Sequence, residues 1–336
     1  MIKRLAAGIV LGAFFLWLAL RNVHFGEMAE TLRRVRLPVF GLFCLMHLGS
    51  LGLRSMRWRI LLRPLGEVPV RRAMPPLAIG FMVNFLLPGR AGEVVRAWLL
   101  SRREQVSTSA VFATIVVERL FDGLAVICFL VPAPFLISAG DPVLLARIRM
   151  GALLLPVAYA AILTTLVLIS HHRERLGGFL SAHPVVLRRP LLARGVHLLE
   201  RFCEGLAVLR SWRSVAGVIF FSLLTWGWGG LANALLMREV GLDLPAYAPF
   251  FLLVLQAVGV LIPTPGFVGP FQYAHVVALG VYGVPEAVAI SLALLIHAGI
   301  FTAVLAPGFW FAARENLGIR ELTQASRSDS DRQPGS

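Results

Sequence analysis

The chain has 336 residues, 57% of them hydrophobic and only 15% charged, with a mean hydropathy of +0.77. Such a composition leaves too little polar surface to keep a water-soluble domain dispersed, and it is ordinary for a helical membrane protein. The net charge of +14 does not signal nucleic-acid binding, because the basic residues, almost all arginine, gather in short segments between apolar runs as orientation signals do.

Lys3-Arg4 precedes an apolar run, Leu5–Leu20, and Arg21-Asn22-Val23-His24 follows with no small-residue cleavage site, so a retained anchor is expected. A membrane-crossing helix needs about 20 mostly apolar residues. After the anchor, the runs that qualify are Pro38–Leu53, Ser109–Leu136, Gly151–Ser170, Val215–Leu236 and Ala287–Ala313. Two shorter runs, Ala73–Leu87 and Pro249–Ile262, lead straight into Pro/Gly-rich sequence that cannot continue a regular helix. Cys44 and Cys128 lie in apolar runs and Cys203 in a basic segment, a distribution that implies no disulfide framework.

Arginine placement sets the orientation. Segments 54–72 and 171–214 carry the heaviest arginine load and are expected in the cytoplasm with both termini; segments 137–150 and 237–248 are expected outside. Arg33, Arg34 and Arg36 then fall on the outer side, on an amphipathic stretch at the membrane interface. The pattern closes if residues 73–107 dip in from the cytoplasm and 249–283 from outside, each returning to its own side. The expected fold is therefore all-α and polytopic: about six spans plus two oppositely entering hairpins, or alternatively eight kinked helices, in an arrangement suggestive of an inverted repeat. Residues 1–322 form this membrane domain, and the polar tail 323–336 is expected to be disordered and cytoplasmic.

Glu93, Glu118 and Asp122, with Arg90, Arg96 and Arg119, are charged residues within or against membrane-depth sequence. Facing lipid, they would cost roughly 15–20 kcal/mol together, so they must face protein or water. Arg90, Glu93 and Arg96 step by three, as do Arg119 and Asp122, while Glu118 and Asp122 step by four, which puts each set on one helix face. The patch reads either as ion pairs stapling two helices or as the lining of a binding cavity, and the adjacent Pro/Gly break favours the cavity. His47 and His297, in apolar runs, read either as proton carriers or, as is commoner for a lone histidine, as packing residues, and Trp226 and Trp228 read as packing or interfacial anchors. No phosphate-binding glycine loop, no H-E-x-x-H and no Cys/His cluster with metal-ligand spacing is present, so neither cofactor nor metal is expected.

The run Asn84-Phe85-Leu86-Leu87-Pro88-Gly89-Arg90-Ala91-Gly92-Glu93-Val94-Val95-Arg96, followed by Glu118-Arg119-Leu120-Phe121-Asp122, resembles the signature of the lysylphosphatidylglycerol synthase transmembrane-region, or flippase-like domain, family. Pro263-Thr264-Pro265-Gly266-Phe267-Val268-Gly269 resembles the family's second, proline-glycine element. The resemblance runs from about residue 5 to 315. It implies a stand-alone member in a bacterial inner membrane that moves a polar lipid headgroup between leaflets without being an enzyme. Asn84, Arg90, Glu93, Arg96, Glu118, Arg119, Asp122, Pro263, Pro265, Gly266, Gly269 and Gln272 would be its binding residues. Phe267 follows Gly266 where a second glycine is expected, and Gln272 stands where an acid is expected. The resemblance therefore carries no proton or cation coupling over to that position. No soluble aminoacyl-transfer domain is present, so lipid aminoacylation is not expected. The expected partners are a membrane phospholipid or other polar lipid, a second copy of the chain, and lipid- or glycan-synthesis enzymes. Alternative readings are an accessory subunit in glycolipid, polyprenyl-linked sugar or hopanoid synthesis, and a membrane-embedded transferase with Glu118 or Asp122 as base.

Overall fold

In a computed structural model of the chain, residues 2–87, 90–132 and 201–317 are described, together with parts of 150–168. Among the described residues there are helices and turns and no strand, the architecture of an all-α multi-pass membrane protein. α1 (Ile2–Leu20) bends by 90° into α2 (Phe25–Arg33), a short amphipathic helix at the basic stretch expected near an interface. α3 (Leu37–Leu62), α8 (Trp212–Glu239) and α11 (Glu286–Arg314) are long and apolar enough to cross a bilayer. α6 (Thr108–Leu130), at 23 residues, also has the length, but Glu118, Arg119 and Asp122 stand in its middle. Between α6 and α8 the described residues include α7 (Pro156–Thr165), within the expected span Gly151–Ser170, and a helical stretch at 201–205 that runs into a 3-10 turn at Leu206–Arg210.

One expected boundary is wrong. Segment 54–72 is not a loop from its first arginine: α3 continues to Leu62, a 3-10 turn follows at Arg63–Leu65, and Arg54 and Arg57 lie inside the helix. Arg57 is fully buried because two carboxylates of α6 neutralise it, so the helix has no need to end where its first arginines occur. Most of the basic segment 171–214 lies outside the described residues; its end folds inward, with Leu206 and Val208 buried beside Leu61 and Val111. The tail 323–336 also lies outside the described residues.

The two short apolar runs form hairpins. α4 (Val70–Leu86) packs beside α5 (Ala91–Glu104) across a break at 87–90, and α9 (Ala248–Gly259) packs beside α10 (Pro270–Gly280) across 260–269. At 1.5 Å per residue these arms are about 17–26 Å long, short of the ~30 Å of a hydrocarbon core. Their bases join different cores. Ala73 and Leu100 pack with Trp58, Val111 and Val218, whereas Ala248 and Leu279 pack with Phe43, Leu236 and Leu292. α3 and α8 run antiparallel through both cores, with Arg57 bonded to Ser222 near one end and Trp228 to the Met46 carbonyl nearer the other. The hairpins thus enter from opposite ends, and their tips meet where the Phe85 ring stands edge-on to Phe267, 5.1 Å between centroids.

The first hairpin closes because Gly80 and Gly92 let its arms touch. A Cβ on Gly92 would lie 1.9 Å from the Gly80 carbonyl oxygen and 2.7 Å from Asn84 Oδ1, the atom that accepts the Gly92 N–H. Gly92→Ala is therefore expected to lower stability by about 3 kcal/mol, the upper end of overpacking costs. Thermal unfolding in detergent micelles measures it; an unchanged midpoint would show that the arms separate freely.

The N-terminal segment packs on the C-terminal half. Cβ atoms on Gly8 and Gly12 of α1 would come within 3.0 Å of the Pro263 and Val268 carbonyl oxygens, so only glycine allows α1 this close to the second break. Asn22 donates to Glu286 at 3.3 Å, α2 lies against α11, and Arg36 pairs with Glu239 at 2.7 Å.

Candidate functional site

The charged patch divides into a buried network and a cavity wall. In the network, Arg57 donates to Asp122 Oδ1 at 2.5 Å, to Glu118 Oε1 at 2.8 Å and to the Ser222 hydroxyl at 2.9 Å. Arg96, from α5, donates to the other oxygen of Glu118, and its guanidinium lies 4.0 Å above the Trp58 ring. Trp226 Nε1 donates to Asp122 Oδ1 at 3.1 Å. Glu118, Arg57 and Arg96 are at most 2% exposed and Asp122 is 6% exposed, so two cations and two carboxylates balance one another in a buried network. Buried charges of this kind persist only when paired and hydrogen-bonded.

Beside the network lies a cavity of about 270 Å³ where the two hairpin tips meet α3, α6, α8 and α11. Asn84, Phe85, Arg90 and Glu93 line it from the first hairpin, Phe267 and Phe271 from the second. Arg119 reaches it from α6, hydrogen-bonding Glu118 at 3.1 Å and ion-pairing with Asp122 at 3.2 Å and Glu93 at 3.4 Å, and so joins wall to network. Arg90 stands 3.9 Å from Glu93 on the rim. Arg54 lines the cavity from α3 with its guanidinium 5.4 Å from the Phe81 ring, and among the described residues no carboxylate pairs with it. Three arginines therefore face one carboxylate, and the wall carries an excess of two positive charges. Each hairpin tip also holds a non-glycine residue in the left-handed region, Arg90 at φ 56° and Phe267 at φ 59°, and both side chains face the cavity. Such conformations cost about 1–3 kcal/mol and persist where the surroundings impose them, often at ligand sites.

Of the residues expected to bind substrate, Asn84, Arg90, Glu93 and Arg119 line this space. Arg96, Glu118 and Asp122 stand behind the wall, as the ion-pair reading of the patch had it. Pro263, Pro265, Gly266 and Gly269 shape the second tip, whose Phe267 and Phe271 supply the lining. Gln272 caps the return helix: its Oε1 accepts the Gly269 N–H at 2.8 Å, and its amide nitrogen donates to His297 Nδ1 at 2.9 Å. An amide does this with one acceptor and one donor, which a carboxylate lacks.

The sequence reading missed Arg54 and Arg57, taken as orientation signals, and His47, His297, Trp226 and Trp228, taken as packing or anchors. All but Arg57 line the cavity. His47 bonds the Phe43 carbonyl through Nδ1 at 3.2 Å, which leaves Nε2 as its free acceptor when neutral. The usable signal lay in α3, where Arg54 and Arg57 stand three apart amid Leu53, Met56, Trp58 and Leu61, a pattern that continues a helix rather than opening a loop.

Comparison with known proteins agrees with this architecture. No solved structure matches the chain. A UPF0104 membrane protein of Methanothermobacter thermautotrophicus is 27% identical over 291 residues, 82% of this chain and 83% of its own length. Another UPF0104 membrane protein of that organism is 31% identical over 118 residues, about a third of each chain. Glycosyltransferase AglD of Haloferax volcanii is 28% identical over 123 residues, 36% of this chain and 20% of its own. The model of the lysylphosphatidylglycerol synthase TM region matches residues 5–308, taking in both hairpins, the buried network and the cavity wall, and the chain belongs to that family.

Proposed function

We propose that this protein moves the headgroup of an anionic lipid between the leaflets of a bacterial inner membrane, non-enzymatically, with both termini in the cytoplasm. The observation that carries the reading is the cavity at the meeting point of two oppositely entering hairpins, with three arginines against one carboxylate. Irregular backbone at membrane depth is tolerated where it lines a polar space, and breaks in two halves that converge on one site are the plan of many transporters. Arginine suits a phosphate, which accepts directional, charge-assisted bonds from it. At about 270 Å³ the cavity falls just below the roughly 300–1,000 Å³ of drug-sized pockets, enough for a headgroup and not for a lipid's hydrocarbon chains.

The test is transport in proteoliposomes containing fluorescent phosphatidylglycerol, with dithionite added outside. Protein-containing vesicles are expected to lose the protected inner-leaflet signal, while a phosphatidylcholine probe stays protected. Protection equal to that of empty vesicles for every polar lipid tried removes the reading.

The similarity to Glycosyltransferase AglD supports a second reading, in which the headgroup is a sugar phosphate on a lipid carrier and the chain works beside the enzyme that builds it. A sugar-phosphate lipid as the main species co-purifying with the protein decides for it; phospholipid alone decides against.

A further inference from the structure

A second space, about 520 Å³, lies between α3 and α11 on the outer face of the molecule. On α3 it is floored by Pro38, Gly41, Leu42, Leu45 and Leu48, which recur at each helical turn and so lie on one helix face. Leu42, Leu45 and Leu48 are 49%, 64% and 44% exposed. α3 and α11 touch where Phe43 meets Gly299, a contact in which an added Cβ would lie 2.4 Å from the ring. Past that crossing, Ala303 and Ala306 on α11 are too small to fill the gap, and nothing stands within 4 Å of where a Cβ on Gly41 would be.

Ala303 and Pro307 line this apolar groove and also line the charged cavity. Pro307 has no N–H, so the Ala303 carbonyl loses its usual helical donor four residues on. At the junction the structure thus offers a charged chamber on one side, an apolar slot on the other and a backbone acceptor between them. That sequence of chemistries matches an amphiphile read from phosphate to tail.

We infer that the lipid whose headgroup occupies the cavity lays one hydrocarbon chain in the α3/α11 groove, passing between the two at Ala303 and Pro307. The inference rests on the headgroup reading above. Lipid tails are as apolar as leucine, so the groove gains little by taking a chain out of the bilayer. Its contribution is geometric: it fixes where the chain leaves the cavity, and occupancy depends on the headgroup.

Photolabelling in proteoliposomes tests this with two probes that share a diazirine-bearing acyl chain, phosphatidylglycerol and phosphatidylcholine. Phosphatidylglycerol is expected to label residues 38–48 about tenfold more than phosphatidylcholine, because both offer a phosphate to the arginines but phosphatidylcholine adds a trimethylammonium that the wall's excess positive charge repels. The excess should vanish in Arg54→Ala, and equally in Arg90→Ala should the first variant fold poorly. Equal labelling by both probes means ordinary contact with surrounding lipid and overturns the inference, as does an excess that survives both substitutions. Phosphatidylglycerol retained by the purified protein, read by mass spectrometry, separates the two levels. Retention that falls in Arg54→Ala while labelling is equal removes the groove and leaves the headgroup reading; retention that never falls removes both.

Discussion

Arg57→Ala is expected to cost about 3–5 kcal/mol of stability, the range for removing one partner of a buried ion pair. Arg57 donates to Asp122, Glu118 and Ser222 from a site with no exposed surface. Without it, Asp122 keeps Trp226 and Arg119, and Glu118 keeps Arg96 and Arg119, so the carboxylates outnumber the fully buried cations. The bond to Ser222 is a smaller part of the effect: Ser222→Ala should cost only about 1–2 kcal/mol. Removing Asp122 as well should restore part of the loss, because the two residues share one network and their effects cannot add. Thermal unfolding of detergent-solubilised protein, compared across Arg57→Ala, Asp122→Ala and the double variant, reads all three. Additive losses would mean that Arg57 and Asp122 do not depend on each other.

The second large effect is on binding rather than folding. Arg54→Ala removes a cation with no ion-pair partner among the described residues and leaves every bond of the buried network in place, so the protein should still fold. Its affinity for phosphatidylglycerol should fall roughly ten- to hundredfold, the worth of one hydrogen bond to a charged group. Glu93→Gln should act in the opposite direction, since it removes the single negative charge on the wall and frees Arg90 toward the ligand, while Arg119 stays paired with Glu118 and Asp122. Lipid titration monitored by native mass spectrometry gives both numbers. A cationic headgroup reverses both signs, and a neutral one abolishes the contrast, so the pair reports the ligand's charge independently of any transport assay.

The hairpins were legible in the sequence because proline and glycine act locally: Pro263, Pro265, Gly266 and Gly269 break a helix whatever surrounds them. The spans Val215–Leu236 and Ala287–Ala313 were legible for the same kind of reason, and the structure extends each by only a few residues to Trp212–Glu239 and Glu286–Arg314. Arg54 and Arg57 were not legible, because an arginine near the end of an apolar run looks the same whether it faces the cytoplasm or a carboxylate from another helix. Their partners and surroundings are set by residues far along the chain, Glu118, Asp122 and Ser222 among them. The division of the patch into a neutral network and a charged wall was hidden for a related reason. Spacing along α5 and α6 puts Glu93, Arg96, Glu118 and Asp122 on shared faces, but which of them meets open space depends on how α3 packs against α6.

The glycine seam between α1 and the second break bears on how the protein is made. α1 is synthesised well before its seat, the stretch from Pro263 through α10. α2 and Arg36 wait in the same way for α11 and Glu239. Domains that form as they emerge settle their early elements first; α1 has no seat to settle on until the second hairpin has been made. Until α1 docks, the irregular backbone of residues 263–269 has hydrocarbon where α1 belongs, a placement that such backbone does not tolerate. Docking of α1 is thus the step that seals the second tip.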